Sequence, residues 1–240
     1  MGPHARPFLF MMLGAKGAMV LFYDIAADAI EDHDDWHTHE HFPERLSIPG
    51  FLRASRWVAT AGSPRYLVIY EVAAVGVLSG APYLERLNHP TPWTARMMPN
   101  FRGMVRGFCG VTSDSGSALG RALLSIRFSA LPGREGELRR WLAGDVLPGI
   151  AQRPGLASVH LLEPAARPPM TKEQAIRGRD ADMPCVLLVT GYSEDALARI
   201  GADALAVERM AERGGSPEST RGRYRLDLFA VAPAHDPELE

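Results

Sequence analysis

The chain has 240 residues, 46% of them apolar and 22% charged, with a formal net charge of −2. This is an ordinary globular composition, long enough for one large domain or two of about 120 residues. The near-neutral balance and the absence of a long basic run argue against a nucleic-acid partner and against an acidic tail.

In chain order, the first feature is the apolar stretch RPFLFMMLGAKGAMVLFY, interrupted by Lys16 and two glycines. It falls short of the ~20 residues that a membrane span needs. It also lacks the clear basic start and cleavage site of a signal peptide. The residues before Met19 are expected to form a loose extension or an added strand. Residues 18–25 read as an apolar strand and 29–47 as a helix that Pro49-Gly50 ends in a turn. Strands are expected at 52–60 and 66–72, joined by AGSP, a hairpin signal. A short helix over 75–87 and a strand over 102–112 complete a β-α-β-β-α-β unit, the ferredoxin-like order. DSGSALG (114–120) reads as a linker.

The same order then repeats. Strands are expected at 122–129, 157–162, 185–192 and 224–232, and helices at 134–150 and 194–213. The second unit differs by a long, polar, proline-bearing loop, residues 163–184, in place of the tight hairpin. Loops of that length are usually functional or disordered. AHDPELE reads as a frayed tail. The expected division is therefore 1–113, a linker 114–120, and 121–240.

An internal match supports the repeat. WHTHEHFPERLSIPGF at 36–51 falls without a gap on WLAGDVLPGIAQRPGL at 141–156, an offset of 105 from Trp36 to Trp141. Trp36, Pro43, Pro49 and Gly50 meet Trp141, Pro148, Pro154 and Gly155, and Glu40 meets Asp145. Further on, RGMVR from Arg102 lines up with RGRYR from Arg221. Two like units do not make a solenoid; they suggest a fused pair. The expected fold is α+β: two ferredoxin-like units whose antiparallel sheets bury their free faces against each other as a pseudo-dimeric barrel, with the helices outside.

In the second unit Leu138, Leu142 and Val146 recur every fourth residue and keep to one helix face. The matching positions in the first unit are His33, His37 and His41. Docked alike, His37 and His41 point at their own sheet and need polar partners. His39 and Glu44 fall on other faces and are expected to be solvated. Three readings stand: a pocket lined by His37 or His41, a wet helix face, or a metal site. For the last, the i, i+4 spacing fits a zinc helix, but Thr38 follows His37 where HExxH has glutamate. No metal is expected. Trp36 and Trp141 are expected in the core.

The motif W-x-x-x-E-H-x-P-E-R-L-x-x-P-G-F (Trp36 to Phe51) resembles the first-helix signature of the dimeric α/β-barrel superfamily. Within it, the likeness is to EthD-like and antibiotic-biosynthesis-monooxygenase-like proteins. YLVIYEV and APYLERLNHPTPWTARM resemble tandem bacterial members. The resemblance covers most of the first unit, whereas the second keeps only the skeleton. It implies a pocket between helix and sheet. It leaves activity open, because such proteins include cofactor-independent oxygenases, isomerases, decarboxylases, haem enzymes and non-enzymes. The GxxDG motif of the haem relatives is absent, which argues against haem.

Histidine exchanges protons near neutral pH. His37 and His41 are thus the candidate bases, with Glu40 as an orienting carboxylate. Tyr23, Arg56, Trp57, Tyr70 and Arg106 on the facing strands are candidates to hold a phenolate, enolate or carboxylate. No P-loop, GxGxxG or GxSxG elbow occurs, so no organic cofactor is expected. Cys109 and Cys185 have neither CxxC spacing nor an activating context, and read as buried thiols of a cytoplasmic protein. Two functions compete. One is a cofactor-independent enzyme acting on an aromatic or polyketide-like small molecule through a histidine base. The other is a non-catalytic binding or structural protein with a partly filled pocket. The expected state is a monomer with an internal pseudo-dimer, or a homo-oligomer.

Overall fold

The computed structural model describes residues 15–233. The stretch before residue 15 and the tail AHDPELE, expected as an extension and a frayed end, lie outside the described residues. The first half runs β1 (Gly17–Ile25), α1 (Ile30–Trp36), a π-helical turn (His37–His41), α2 (Phe42–Leu46), β2 (Phe51–Ala61), β3 (Tyr66–Val72), α3 (Ala81–Asn88), α4 (Pro92–Met97) and β4 (Phe101–Ser115). The second runs β5 (Ala122–Ala130), α5 (Glu135–Arg140), a π-helical turn (Trp141–Val146), α6 (Leu147–Ile150), β6 (Leu156–Pro164), α7 (Lys172–Arg177), β7 (Ala181–Asp182), β8 (Cys185–Gly191), α8 (Glu194–Ala202), α9 (Val207–Glu212) and β9 (Gly215–Val231).

The apolar run YLVIYEV makes β3 a central strand buried along its whole length. It pairs antiparallel with β1 and β2, and β1 also pairs with β4. The second half repeats this as β9-β5-β8-β6. The long last strand of each half reaches across to the other sheet: β4 pairs with β6, and β9 with β2. The result is a closed, eight-stranded antiparallel barrel, the pseudo-dimeric α/β barrel that the pattern predicted. Val20, Phe22, Ile69 and Trp57 meet Leu123, Leu188 and Tyr224 in its interior. Each half packs its helices on the outer face over a core of its own.

The two predicted helix-to-strand turns hold. Gly50 and Gly155 both have φ of 91°, a conformation that suits glycine. A β-carbon there would lie 2.6 Å from Val77 in one half and 2.5 Å from Ala196 in the other.

Several elements depart from expectation. PTPWTARM forms a further helix, α4, which Thr91 caps by accepting from the Thr94 amide. β4 continues to Ser115, which shortens the connection expected at 114–120. The loop 163–184 carries α7 and the short β7, which pairs parallel with β4 at Val105 and Arg106. No helix among the described residues is long and apolar enough to cross a membrane.

Candidate functional site

The first helix places the histidines. Pro43 has no amide proton, and its ring crowds the carbonyl four residues back. The helix widens ahead of it, and the Phe42 amide reaches His37 O. The second half does the same before Pro148, where the Leu147 amide reaches Leu142 O. The π turn therefore belongs to the fold, not to the histidines. Its wider step offsets the drift of a four-residue repeat on an α-helix. His33, His37 and His41 all stay turned to the sheet, at 0%, 3% and 7% exposure.

Each ring has a different environment. His33 Nε2 lies 3.0 Å from Tyr23 Oη and its Nδ1 2.9 Å from Asp34 Oδ1. His37 Nε2 lies 3.0 Å from Tyr70 Oη. The Nδ1 atoms of His37 and His41 have no hydrogen-bond partner. Glu44 is 3.8 Å from His41 Nδ1, too far for a hydrogen bond. Trp36 stacks on His37 at 5.4 Å and tilts over His41 at 4.2 Å, ring centre to ring centre. Burial holds His37 and His41 well below the usual imidazole range, helped by the neighbouring imidazoles and Arg45. Burial also lowers His33, but Asp34 pulls it back upward. Tyr23 and Tyr70 are raised by burial and stay protonated at neutral pH.

His37, His41, Trp36, Tyr23 and Tyr70, but not His33, line a small cavity of about 20 Å³, together with Met19, Tyr83, Met98 and Phe101. That is room for one or two waters. Its cover comes from the other half. Glu173 and Arg177 of α7 line the cavity beside Arg45 and Arg106. Arg45 is 2.6 Å from Glu173, and Arg106 is 2.8 Å from Asp180. Arg177 closes the group at 3.0 Å from Asp180. Burial works against the Arg45 charge, but Glu173 and Glu44 outweigh it and Arg45 stays cationic.

Of the residues singled out from sequence, His37, His41, Tyr23, Tyr70 and Arg106 meet at this cavity. Three others lie elsewhere. The Glu40 carboxylate accepts from Trp36, Thr91 and Thr94 at 3.2, 2.5 and 3.2 Å, anchoring α4 rather than orienting an imidazole. Trp57 is on the opposite face of its strand, inside the barrel, where its Nε1 donates to Ser55 at 2.9 Å. Arg56 faces the helix but is taken up by Asp227 at 2.7 Å and by the Asp34 backbone carbonyl at 3.1 Å. Glu44, expected in solvent, is largely covered and pairs with Arg45 at 3.2 Å. Trp36 is core as expected, but Trp141 is only partly buried.

Sequence reasoning missed Arg45 and the α7 pair Glu173 and Arg177. Arg45 carried a signal, since it continues the ladder His33, His37, His41 by another four residues and matches Ile150 in the second half. For α7 the only signal was the length of its loop. Among the described residues, no three His, Cys, Asp or Glu side chains converge to hold a metal ion.

The second half shows the same interface without the polar groups. By strand register, Tyr23 corresponds to Phe128, Tyr66 to Cys185, Tyr70 to Val189 and Arg56 to Leu161. Phe128, Leu138, Leu142, Leu161 and Cys185 line an open groove of about 320 Å³ there. Register also corrects one sequence match. Arg106 lies opposite Leu21 and Arg221 opposite Ile126, so Arg221, not Arg225, takes the place of Arg106. Arg221 donates to the Gly201 and Leu205 carbonyls at 2.9 and 2.7 Å, fastening the end of α8.

No family model and no curated protein matches the chain. Solved structures do. An anthrone oxidase-like protein superposes with a TM-score of 0.63 at 15% identity, over 90% of this chain and 94% of the other. A candidate monooxygenase from Fusobacterium nucleatum gives 0.60 at 7%, over 90% and 95%. One from Lactobacillus acidophilus gives 0.55 at 11%, over 90% and 96%. At such identities the likeness is one of fold.

Proposed function

Taking a chain with the fold of the dimeric α/β-barrel superfamily as the premise, we propose that the cavity of the first half binds an aromatic or polyketide-like small molecule. There it removes a proton from a weakly acidic C–H or O–H without an organic cofactor. The reaction would be of the monooxygenase, isomerase, cyclase or decarboxylase type. One observation carries this reading: neutral, buried imidazoles with unpaired Nδ1 atoms stand among the residues that line an aromatic-walled cavity. A buried polar atom without a partner costs about 1–3 kcal/mol, and a ligand's hydroxyl or carbonyl would relieve that cost. Arg45, Arg106 and Arg177 supply positive charge for the anion that forms. The cavity is smaller than such a ligand, so α7 must withdraw and release Glu173 and Arg177 before binding.

The competing reading, a non-catalytic protein with a filled pocket, is favoured by that same small volume. The fold's free sheet edges are consumed by closure within one chain, apart from β7, which supports a monomer. The free thiols of Cys109, buried, and Cys185, half-buried, support a cytoplasmic location.

The test is oxygen uptake and absorbance with 1,8-dihydroxyanthrone, whose ring C–H is weakly acidic. Wild-type turnover, lost in His37→Leu/His41→Val with the fold retained, is expected. Those side chains stand at the same places in the second half. Binding without turnover would support the non-catalytic reading, and neither binding nor turnover would remove the aromatic ligand.

A further inference from the structure

The His33 side chain does not itself line the cavity, yet it is joined to it by a directed hydrogen-bond line. Asp34, as a carboxylate, only accepts. It receives Tyr66 Oη at 2.9 Å and lies 3.4 Å from the Arg56 guanidinium, which keeps it ionised. The 2.9 Å contact to Asp34 therefore fixes the proton of neutral His33 on Nδ1. His33 Nε2 is then a bare lone pair, and Tyr23 Oη, 3.0 Å away, must donate to it. Tyr23 is among the residues that line the cavity, and with its proton given to His33 its hydroxyl can offer an entering ligand only oxygen lone pairs. At the far end Asp34 is one-third exposed. The line thus runs from the closed cavity to solvent. Its order, carboxylate to imidazole to hydroxyl, is the one that activates a hydroxyl group in nucleophilic enzymes.

We propose that Tyr23, His33 and Asp34 form the proton outlet of the cavity, with Tyr23 the group that touches the ligand. His33 and Asp34 are positioning residues acting through it. The proposal rests on the reading of the cavity as a deprotonating small-molecule site. The step balances without any co-reactant. The ligand's O–H or C–H bond breaks and its proton goes to Tyr23 Oη. The Tyr23 proton passes to His33 Nε2. The products are the ligand anion, an intact phenol, an imidazolium and the Asp34 carboxylate beside it. Reprotonation of product reverses the path, or the imidazolium releases its proton through Asp34 to solvent.

This assignment separates His33 from its neighbours. Glu44 stands 3.8 Å from His41 Nδ1, beyond hydrogen-bond reach, and His37 bonds Tyr70, so an imidazolium at either would have no carboxylate to bond. The charged and titratable groups around His33 are Tyr23 from β1, Arg56 from β2, Tyr66 from β3 with Arg65 just before it, Asp34 from its own helix and His37 from the π turn that follows. β4 contributes only Phe101. Asp34 is the sole acid among them, and it contacts the ring directly. In the second half the whole line is replaced together, by Phe128, Leu138 and Arg139, which is how a unit behaves that functions only when complete.

The first measurement needs no ligand. Long-range 1H–15N spectra of the histidine-labelled protein should show neutral His33 as the Nδ1–H tautomer, and Asp34→Asn should move its titration to lower pH. An Nε2–H tautomer in the wild type would overturn the proposal, because Tyr23 would then not be donating. The second uses 1,8-dihydroxyanthrone turnover. Asp34→Asn and the double variant Tyr23→Phe/His33→Leu should lower kcat by about 100-fold with KM little changed. Asp34→Asn should also shift the acid limb of the kcat–pH profile downward. The double variant places a Phe–Leu pair that the second half already packs, so it should fold. Wild-type kcat in both variants, with turnover still lost in His37→Leu, would assign the base to His37 and overturn the outlet. No turnover in the wild type would count against the functional reading instead, and the tautomer alone would then decide the outlet.

Discussion

The two halves build the same helix-on-sheet interface from the same π-turned helix, yet one sets imidazoles and phenols around a small cavity while the other sets aliphatic side chains along a wide groove that Glu135, Arg139 and Glu163 also line. The cavity is about 20 Å³ in the first and the groove about 320 Å³ in the second. The difference is not a scatter of substitutions. It is made in pairs across the interface: His33 with Tyr23 against Leu138 with Phe128, and His37 with Tyr70 against Leu142 with Val189. A hydrogen-bonded pair and an apolar pair are both stable solutions, whereas a mixed pair strands a buried polar atom. The polar half is thus an alternative packing built pair by pair, complete around His33 and left with unpaired Nδ1 atoms at His37 and His41.

The largest effect is expected where a charge rather than a dipole is removed. Arg45 is nearly fully buried and pairs with Glu173 at 2.6 Å, while its counterpart in the second half is Ile150. Copying that residue, as Arg45→Ile, leaves Glu173 buried with only the more distant Arg177, at 3.9 Å. Breaking a buried pair in this way typically costs about 3–5 kcal/mol. Urea unfolding should show a loss of that size, and Arg45→Ile/Glu173→Leu should recover much of it. A loss under 1 kcal/mol in the single variant would mean that α7 lifts away and lets Glu173 reach water, so the cover would be looser than drawn.

His160 reverses the pattern, because here the second half carries the imidazole. It projects into the barrel, fully buried, with neither ring nitrogen bonded, where the first half has Ser55. Burial, with Arg53 adding to it, lowers its pKa from 6.5 to about 4. The folded protein holds it neutral in a range where the unfolded chain takes up a proton. Its stability contribution is therefore intact above pH 6.5 and is lost as the pH falls toward 4, by about 3 kcal/mol in all. His33, His37 and His41 carry the same sign. Unfolding free energies at pH 7.5 and 4.5 should differ accordingly, and His160→Leu should shrink the gap by about 2.5 kcal/mol. An unchanged gap would show that water reaches the ring.

Much of this contrast was legible in the chain itself. The offset between Trp36 and Trp141 set imidazoles against aliphatic side chains, and alternation along β1 and β3 put Tyr23 and Tyr70 beneath them. Trp57 was misplaced because it and Arg56 are neighbours on one strand, so period-two alternation lets only one of them face the helix. Glu40 failed for another reason: its partners Thr91 and Thr94 lie on a helix with no match in the second half. Glu173 and Arg177 were out of reach, since nothing local says that a loop of one half folds over the helix of the other.

The smallest predicted effects test the pairing most directly. His33→Leu alone removes the acceptor of the Tyr23 hydroxyl and leaves that group buried, at a cost of about 1–3 kcal/mol. Tyr23→Phe alone leaves His33 Nε2 bare, at a similar cost. Made together they recreate Phe128 with Leu138, and the sum should not be reached. A double-mutant cycle should return a coupling of about 1–2 kcal/mol. His37→Leu alone should cost less than His33→Leu, because His37 Nδ1 is already unpaired and its removal relieves a cost while the bond to Tyr70 is lost. Equal costs for the two single variants would mean that His37 Nδ1 is satisfied in solution by a water held in the cavity, and the polar half would then be as complete around His37 as it is around His33.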